Sequence, residues 1–379
     1  MKEIIRNIVK KILFSGYYVY MSLYLPVVFD YAYKNGELRY LSENDFKAWK
    51  KAFMHLLREH YHSNYGFGQR ELLTAFPTAH IETVRRSEPG DPHIPIVVLC
   101  VKNDRQRIEM LVKHYRKLGI KQFAFIDNGS TDGTLEWMLD QSDIDIYKTA
   151  DRYASLVKEA WINRIISMYG FNRWYLQTDS DELVKYIGME EHPILDVVAY
   201  AEKNGYDRLE ALTLDMYSSE GLFAPIAEGS TIENDYCWMD TDSYAEQPKQ
   251  VGNETIRWIT GGPRMRKMNV STSLIKFPLA YFKVGTLSAN AHFLFPYSEM
   301  NEVPCVLAIM HYKFLAGDQE EFLRRSEAGS GFAFGGKYYR NYTQTSQKQE
   351  TFMYEGSRKY VDSSSLMEMP YLRTIPFDE

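Results

Sequence analysis

The chain has 379 residues, of which 45% are hydrophobic and 15% aromatic, drawn from 29 Tyr, 20 Phe and 6 Trp. This content supplies a packed core and excludes a disordered chain. Fifty acidic against 44 basic residues leave a net charge of -6, which offers no general attraction for a phosphate backbone and argues against a nucleic-acid partner. The three cysteines, Cys100, Cys237 and Cys305, are far apart; they suggest neither a disulfide framework nor a thiolate metal site and fit a reducing, cytoplasmic setting.

At the N-terminus, Ile4, Ile5, Ile8, Val9, Ile12 and Leu13 recur at helical spacing with Lys2, Arg6, Lys10 and Lys11 between them, the pattern of a basic amphipathic helix. No small-residue cleavage site follows, so a secretory signal is not expected. From Ile12 to Phe29 there is no charge, about the minimum needed to span a bilayer. Tyr17, Tyr18, Tyr20, Tyr24, Gly16 and Pro26 make this stretch less apolar than most spanning helices, and tyrosine prefers the membrane interface. Three readings stay open for residues 1 to 29: a helix packed on the protein's own core, a peripheral anchor on the inner face of a membrane, and a true span. Ser42 and Asp45 resemble a capping box ahead of a helix with Phe46, Trp49, Phe53, Leu56 and Leu57 on one face. His55, His60 and His62 contain no pair four residues apart, so they read as a solvated face rather than a metal site. Arg85 to Pro92 is charged and rich in proline and glycine, which predicts a linker and a boundary after an N-terminal helical region, residues 1 to 93.

Beyond the linker the pattern changes. Ile94 to Val101 is a continuous apolar run, as in a parallel strand buried on both faces. Residues 105 to 118 place Ile108, Leu111, Val112, Tyr115 and Leu118 on one helical face, and Gly119 ends that helix. Gln122 to Ile126 forms a second strand, Leu156 to Met168 a helix, and Trp174 to Gln177 a third strand. The order predicts an α/β fold with a mostly parallel central sheet flanked by helices, whose ligand sits at the carboxyl ends of the strands.

All three strand ends carry carboxylates: Lys102-Asn103-Asp104, then Asp127-Asn128-Gly129-Ser130-Thr131-Asp132-Gly133-Thr134, then Thr178-Asp179-Ser180-Asp181-Glu182. The second also suits an Asx turn and the third a capped helix start. Two carboxylates at i and i+2 after a buried strand suit a hard divalent cation that keeps open positions for phosphate oxygens. Asp127 is placed to accept hydrogen bonds from a base or ribose.

Taken in order, K-N-D, D-N-G-S-T-D-G-T and D-S-D-E, with Asp179 52 positions after Asp127, resemble the bacterial family 2 glycosyltransferases of the GT-A fold, in the branch akin to family 92. Gly261-Gly262-Pro263-Arg264, Leu274 to Leu279, Ala291-His292-Phe293 and Met310 to Lys313 extend the resemblance over residues 94 to 326. It departs at Asp104, where glutamate is usual, and at Leu183, where phenylalanine is usual. The resemblance implies a GT-A domain and metal-dependent transfer, with Mn²⁺ or Mg²⁺, of a sugar from a nucleotide-diphosphate sugar to a glycan or lipid-linked acceptor. It also implies inversion and a role in bacterial surface polysaccharide synthesis. Carried over residue by residue, Asp104 and Asp127 contact the base, Asp179 the ribose or metal, and Asp181 and His311 the metal. His292, Arg264 and Lys267 are candidates for diphosphate or acceptor contacts, each with a structural alternative.

An inverting transfer needs a carboxylate to take the acceptor proton. Asp240 and Asp242, between Trp238 and Tyr244, rank first, and Asp215 after the apolar run Leu209 to Leu214 is next. Residues 327 to 379, with Gly329, Gly331, Gly335 and Gly336 ahead of Tyr338, Tyr339 and Tyr342, read as a flap over the acceptor side or as a surface extension. Rival functions are a nucleotidyltransferase, which would carry a glycine-rich basic loop where Lys102 to Arg107 has no glycine, and a catalytically silent glycan- or membrane-binding protein.

Overall fold

The computed structural model describes residues 2–35, 38–61, 70–328, 336–346 and 351–377. The side chains of residues 2 to 15, and His60, His62, Gly329, Gly331 and Gly335, lie outside the described set. Helices α1 (Lys2–Asn35), α2 (Glu43–Tyr61) and α3 (Arg70–Thr78) open the chain. Ser42 starts α2 as expected, its Oγ accepting the Asp45 N–H at 3.1 Å. No helix among the described residues is long and apolar enough to cross a membrane.

Nine strands form the central sheet: β1 (Glu82–Arg85), β2 (Ile96–Val101), β3 (Phe123–Asp127), β4 (Ile144–Lys148), β5 (Arg173–Gln177), β6 (Glu182–Lys185), β7 (Arg208–Asp215), β8 (Ile275–Phe282) and β9 (Cys305–His311). Their order across the sheet is β1-β4-β3-β2-β5-β8-β7-β9-β6. Strands β2, β3, β4, β5, β7 and β9 run in one direction, and β1, β6 and β8 oppose them. Helices α4 (Arg105–Lys117), α5 (Thr134–Leu139) and α6 (Ser155–Tyr169) make the crossovers between the first parallel strands, and α7 (Ile194–Lys203) precedes β7. Gly119, at φ +93°, closes α4. The short helices α8 (Ile232–Asp235) and α9 (Gly262–Met268) lie between β7 and β8.

Three local readings change. Residues 85 to 92 are fastened rather than free: Arg85 lies in the edge strand β1, and its guanidinium donates to the carbonyls of Met138 (3.0 Å) and Leu139 (2.9 Å) at the end of α5. Strand β4 escapes the sequence reading because Asp145 interrupts its apolar run. The buried carboxylate is held by the Ser87 N–H at 2.7 Å, Gln122 at 2.8 Å and the Tyr169 hydroxyl at 2.6 Å. Glu182 to Lys185 is a strand, not a helix start, because β9 offers an antiparallel partner.

The N-terminal helices share one core with the sheet. Leu25 and Phe29 of α1, Trp49 and Phe53 of α2, and Phe76 of α3 are buried in the same cluster as Val97, Ile126 and Trp161. A second, smaller core joins Tyr217, Phe223, Phe314, Phe322, Tyr342 and Phe352; it seats α10 (Asp318–Ala328) and α11 (Lys337–Ser346). Residues 351–377 are built into the protein. Ser357–Lys359 pairs antiparallel with Trp238–Asp240, and Leu366, Met369 and Ile375 enter the main core. Residues 351–377 of the C-terminal segment are therefore not a free extension.

Candidate active site

A cleft of about 1850 Å³ opens at the carboxyl ends of β2, β3 and β5, under α10. Asp104, Asp127, Asp179 and Asp181 all line it. Asp127, at the end of β3, is buried, and its carboxylate accepts the N–H groups of Gly129 (3.0 Å) and Ser130 (3.2 Å). The Asx turn and the cleft-lining position thus coexist at one residue. Asp104, just before α4, receives Arg107 at 3.0 Å and the Ser180 hydroxyl. Burial pushes its carboxyl above the usual range, against the pull of Arg107 and Ser180. Arg107 also reaches the Tyr312 carbonyl at 2.9 Å and Asp318 at 3.1 Å, tying the first strand end to the start of α10.

Strand register assembles the centre of the site. His311, the last residue of β9, stands opposite Glu182 of β6 on one side and opposite Asp215 of β7 on the other. The Tyr312 N–H donates to the Asp181 carbonyl at 2.8 Å, which carries the pairing one residue beyond β6. His311 Nε2 lies 3.2 Å from Asp181 Oδ2, while its Nδ1 lies 2.7 Å from Asp215 Oδ1. Burial disfavours the imidazolium, but Asp181 and then Asp215 outweigh it and raise the His311 pKa. Burial likewise opposes the Asp181 carboxylate, yet His311 and Lys313 hold it well below the usual range.

Asp181, Glu182 and His311 each bring one ligand atom within 4.8 Å of the others. Two carboxylate oxygens and an imidazole nitrogen suit Mn²⁺, and also Mg²⁺ if solvent or phosphate completes the shell. The Asp215 carboxylate on Nδ1 is the arrangement that orients a metal-binding histidine. Asp215 is itself fixed by Arg264 Nε at 2.7 Å. Burial raises the Asp215 carboxyl, but Arg264 and His311 bring it down to about 2.

Asp179 stands outside that converging set. Its carboxylate is held by Lys158 at 2.6 Å and Lys276 at 3.4 Å. Despite burial, Lys158 and Lys276 keep it below the usual carboxylate range. Lys276 also bonds Glu182. His292 lines a small cavity of about 20 Å³ with Asp179, Lys276 and Gln177, room for one water. Its Nδ1 is 3.1 Å from the Ile275 carbonyl, and burial with the nearby Lys276 pushes its pKa down to about 3.

Among the proposed bases and anion contacts, several sit away from the cleft. Asp240 is fully buried and saturated by the Tyr217 hydroxyl (2.7 Å), the Ser243 hydroxyl (2.8 Å) and Arg266 (3.0 Å). Asp242 is exposed and bonded to the Tyr354 hydroxyl. Asp215 lies behind His311, and Lys267 is exposed on α9. Arg264 is buried on Asp215 instead of facing the cleft. The Gly261-Gly262 turn permits close approach: a Cβ on Gly261 would lie 2.0 Å from the Ser243 carbonyl, and one on Gly262 3.6 Å from Asp215 Oδ2.

Sequence reasoning missed Glu182 as a candidate ligand, and it missed the buried cations Lys158 and Lys276 and the half-buried Arg107 and Lys313. Glu182 was visible inside the D-S-D-E run. The cations' long-range pairings, such as Arg107 with Asp318 211 positions away and Lys276 with Asp179 97 positions away, leave no local signal.

No protein-family model matches the chain, and no curated protein does. A solved structure of a mannosyltransferase, PcManGT from Pyrobaculum calidifontis, in complex with GDP-Man and Mn²⁺, aligns at 14% identity and a TM-score of 0.24. The alignment covers 44% of this chain and 46% of that one, so the chain spans less than half the length of that protein. A likeness this slight bears neither on fold nor on function.

Proposed function

We propose that the chain is a metal-dependent glycosyltransferase of the GT-A type, which moves a sugar from a nucleotide-diphosphate sugar to a hydroxyl of a glycan or lipid-linked acceptor. The observation that carries this reading is the convergence of Asp181, Glu182 and His311 beside a large cleft whose walls include the cations Lys102, Arg107, Lys158, Lys313 and Arg325. Carboxylates and imidazole hold the ion, and the cations offset the charge of a diphosphate. The resemblance to family 2 adds inversion and surface polysaccharide synthesis to the proposal.

In this reading Asp181, Glu182 and His311 would hold Mn²⁺ or Mg²⁺, and the ion would supply Lewis-acid stabilisation of charge on the leaving diphosphate. Asp215 keeps the His311 Nδ1 proton on the side away from the ion, so that Nε2 presents its lone pair. Lys158 and Lys276 hold Asp179 ionised at the edge of the cleft, and in this reading it binds the ribose. Asp104 and Asp127 form the nucleoside end. Asp240, Asp242 and Asp215 do not line the cleft, and in this reading the acceptor's proton goes to a carboxylate that does.

The test is a thermal-shift panel of nucleotide-diphosphate sugars with and without Mn²⁺, followed by assay of nucleoside diphosphate release. Ligand at about 100 times its Kd stabilises the fold by about 2.7 kcal/mol. At least one sugar nucleotide is expected to raise the melting temperature, more so with Mn²⁺, and Asp181→Ala should abolish turnover without unfolding the protein. A panel with no stabilising member, with or without metal, would overturn the proposal.

A further inference from the structure

The strongest feature outside the cleft is the outer face of α1. Val19, Leu23, Val27 and Tyr31 recur every four residues and are 56%, 70%, 67% and 68% exposed, with Tyr20 beside them at 56%. At 1.5 Å per residue the stripe from Val19 to Tyr31 is about 18 Å long. The opposite face of the same helix is spent: Met21, Leu25, Phe29 and Ala32 are buried against the protein's core. The outer stripe is therefore not left over from core packing, since the helix already has a complete apolar seam facing inward. A continuous exposed stripe of this kind marks an interaction surface.

Two further observations identify the partner. Upstream in the same helix, the sequence continues the apolar series at helical spacing with Ile5, Ile8, Val9 and Ile12. The same stretch carries Lys2, Arg6, Lys10 and Lys11 against one acid, Glu3, and Lys34 occupies the last turn. In a chain of net charge -6 this is a local basic segment set against an acidic whole. An acidic protein is repelled from an anionic surface except where such a segment leads. The exposed tyrosines Tyr20 and Tyr31 suit the headgroup level. A second copy of the chain is the competing occupant, and sedimentation separates it from a bilayer.

We infer that α1 lies along the surface of a bilayer bearing anionic headgroups, with the Val19–Leu23–Val27–Tyr31 stripe embedded and the basic sequence of residues 2 to 11 supplying the attraction to those headgroups. The helix binds the surface without crossing it, because its buried seam is committed to the protein core. This inference does not depend on the chemistry in the cleft.

The experiment is flotation of the full chain with vesicles of phosphatidylcholine alone and of phosphatidylcholine mixed with phosphatidylglycerol. The unaltered chain should float with the mixed vesicles and bind neutral vesicles more weakly. Leu23→Asp with Val27→Asp, both at exposed positions, and separately Lys10→Glu with Lys11→Glu, should each weaken binding by roughly tenfold or more while the melting temperature holds. Adding salt should weaken binding of the unaltered chain. Failure to float with either vesicle, or equal flotation of the Leu23/Val27 variant, would overturn the inference. So would sedimentation as a dimer that the same double substitution dissociates, since a second copy would then own the stripe. Sugar-nucleotide thermal shifts measured on the same variants separate this outcome from a failure of the cleft.

Discussion

Replacing Asp215 by asparagine tests the central geometry directly. In the native site the Asp215 carboxylate accepts from two donors at once, His311 Nδ1 at 2.7 Å and Arg264 Nε at 2.7 Å. An amide supplies one acceptor oxygen and one donor nitrogen. If the oxygen faces Arg264, the amide N–H meets Nδ1 and drives the proton to Nε2, the nitrogen that faces Asp181. If the oxygen faces His311, two donors oppose each other at Arg264. The first arrangement removes the ligand tautomer, and loss of such an orienting partner lowers metal affinity about 10- to 100-fold, about 1.4 to 2.8 kcal/mol. The second leaves a buried guanidinium short of its counter-charge, with about 3 kcal/mol lost from the fold. Calorimetric titration of Mn²⁺ together with a thermal melt in the absence of metal reads both terms. A variant that binds Mn²⁺ within twofold of the unaltered protein and melts at the same temperature would refute the assignment of Asp215 as the residue that positions His311. Asp181→Asn is the control and should abolish the titration.

Other perturbations follow from the same contacts. Lys158→Met strips Asp179 and the fully buried Glu159 of a shared cation at 2.6 Å and 3.2 Å; urea unfolding should show a loss of about 3 kcal/mol, and no change would mean these carboxylates are not charge-paired as described. Gly261→Ala forces a Cβ to 2.0 Å from the Ser243 carbonyl at φ +131° and should lower the melting temperature by roughly 10 °C or prevent folding, whereas Gly262→Ala, with 3.6 Å of clearance at φ +71°, should cost only about 1 kcal/mol; equal losses would contradict the turn geometry. His114 is buried with Nε2 2.8 Å from the Val184 carbonyl, and burial with Lys185 nearby pushes its pKa down to about 4. The unfolded chain binds this proton more tightly, so the contribution is complete above about pH 6.5 and is lost as pH falls toward 4, by up to about 3 kcal/mol. His114→Gln keeps a neutral donor and should flatten that part of the pH–stability curve; an identical curve would exclude His114 as its source.

Much of the architecture is local and legible in the order of residues alone. The apolar run Ile96–Val101 and the helix Arg105–Lys117, ended at Gly119, report themselves through periodicity and turn chemistry, because a strand buried on both faces and a helix buried on one must show those patterns. The carboxylates after β2, β3 and β5 followed from the same pattern, since a parallel sheet exposes its ligand site at those ends. Strand β4 was not legible, because Asp145 sits inside it and is tolerated only through partners contributed by Ser87, Gln122 and Tyr169. The apolar residues of α1 were legible as a stretch, but not their division into an inner seam and an outer stripe. Asp240 shows the converse: its flanking aromatics suggested a sugar site, and tertiary packing turned the residue inward to neutralise Arg266. The composition alone identified an acidic, aromatic-rich folded chain and the types of residue available for chemistry. Which of them meet was decided by register, where β9 slots between β6 and β7 and sets His311 abreast of Glu182 and Asp215. That pairing joins segments about a hundred residues apart, and its energy comes from ladders and packing between strands, which leave no periodic trace in the residues they bring together.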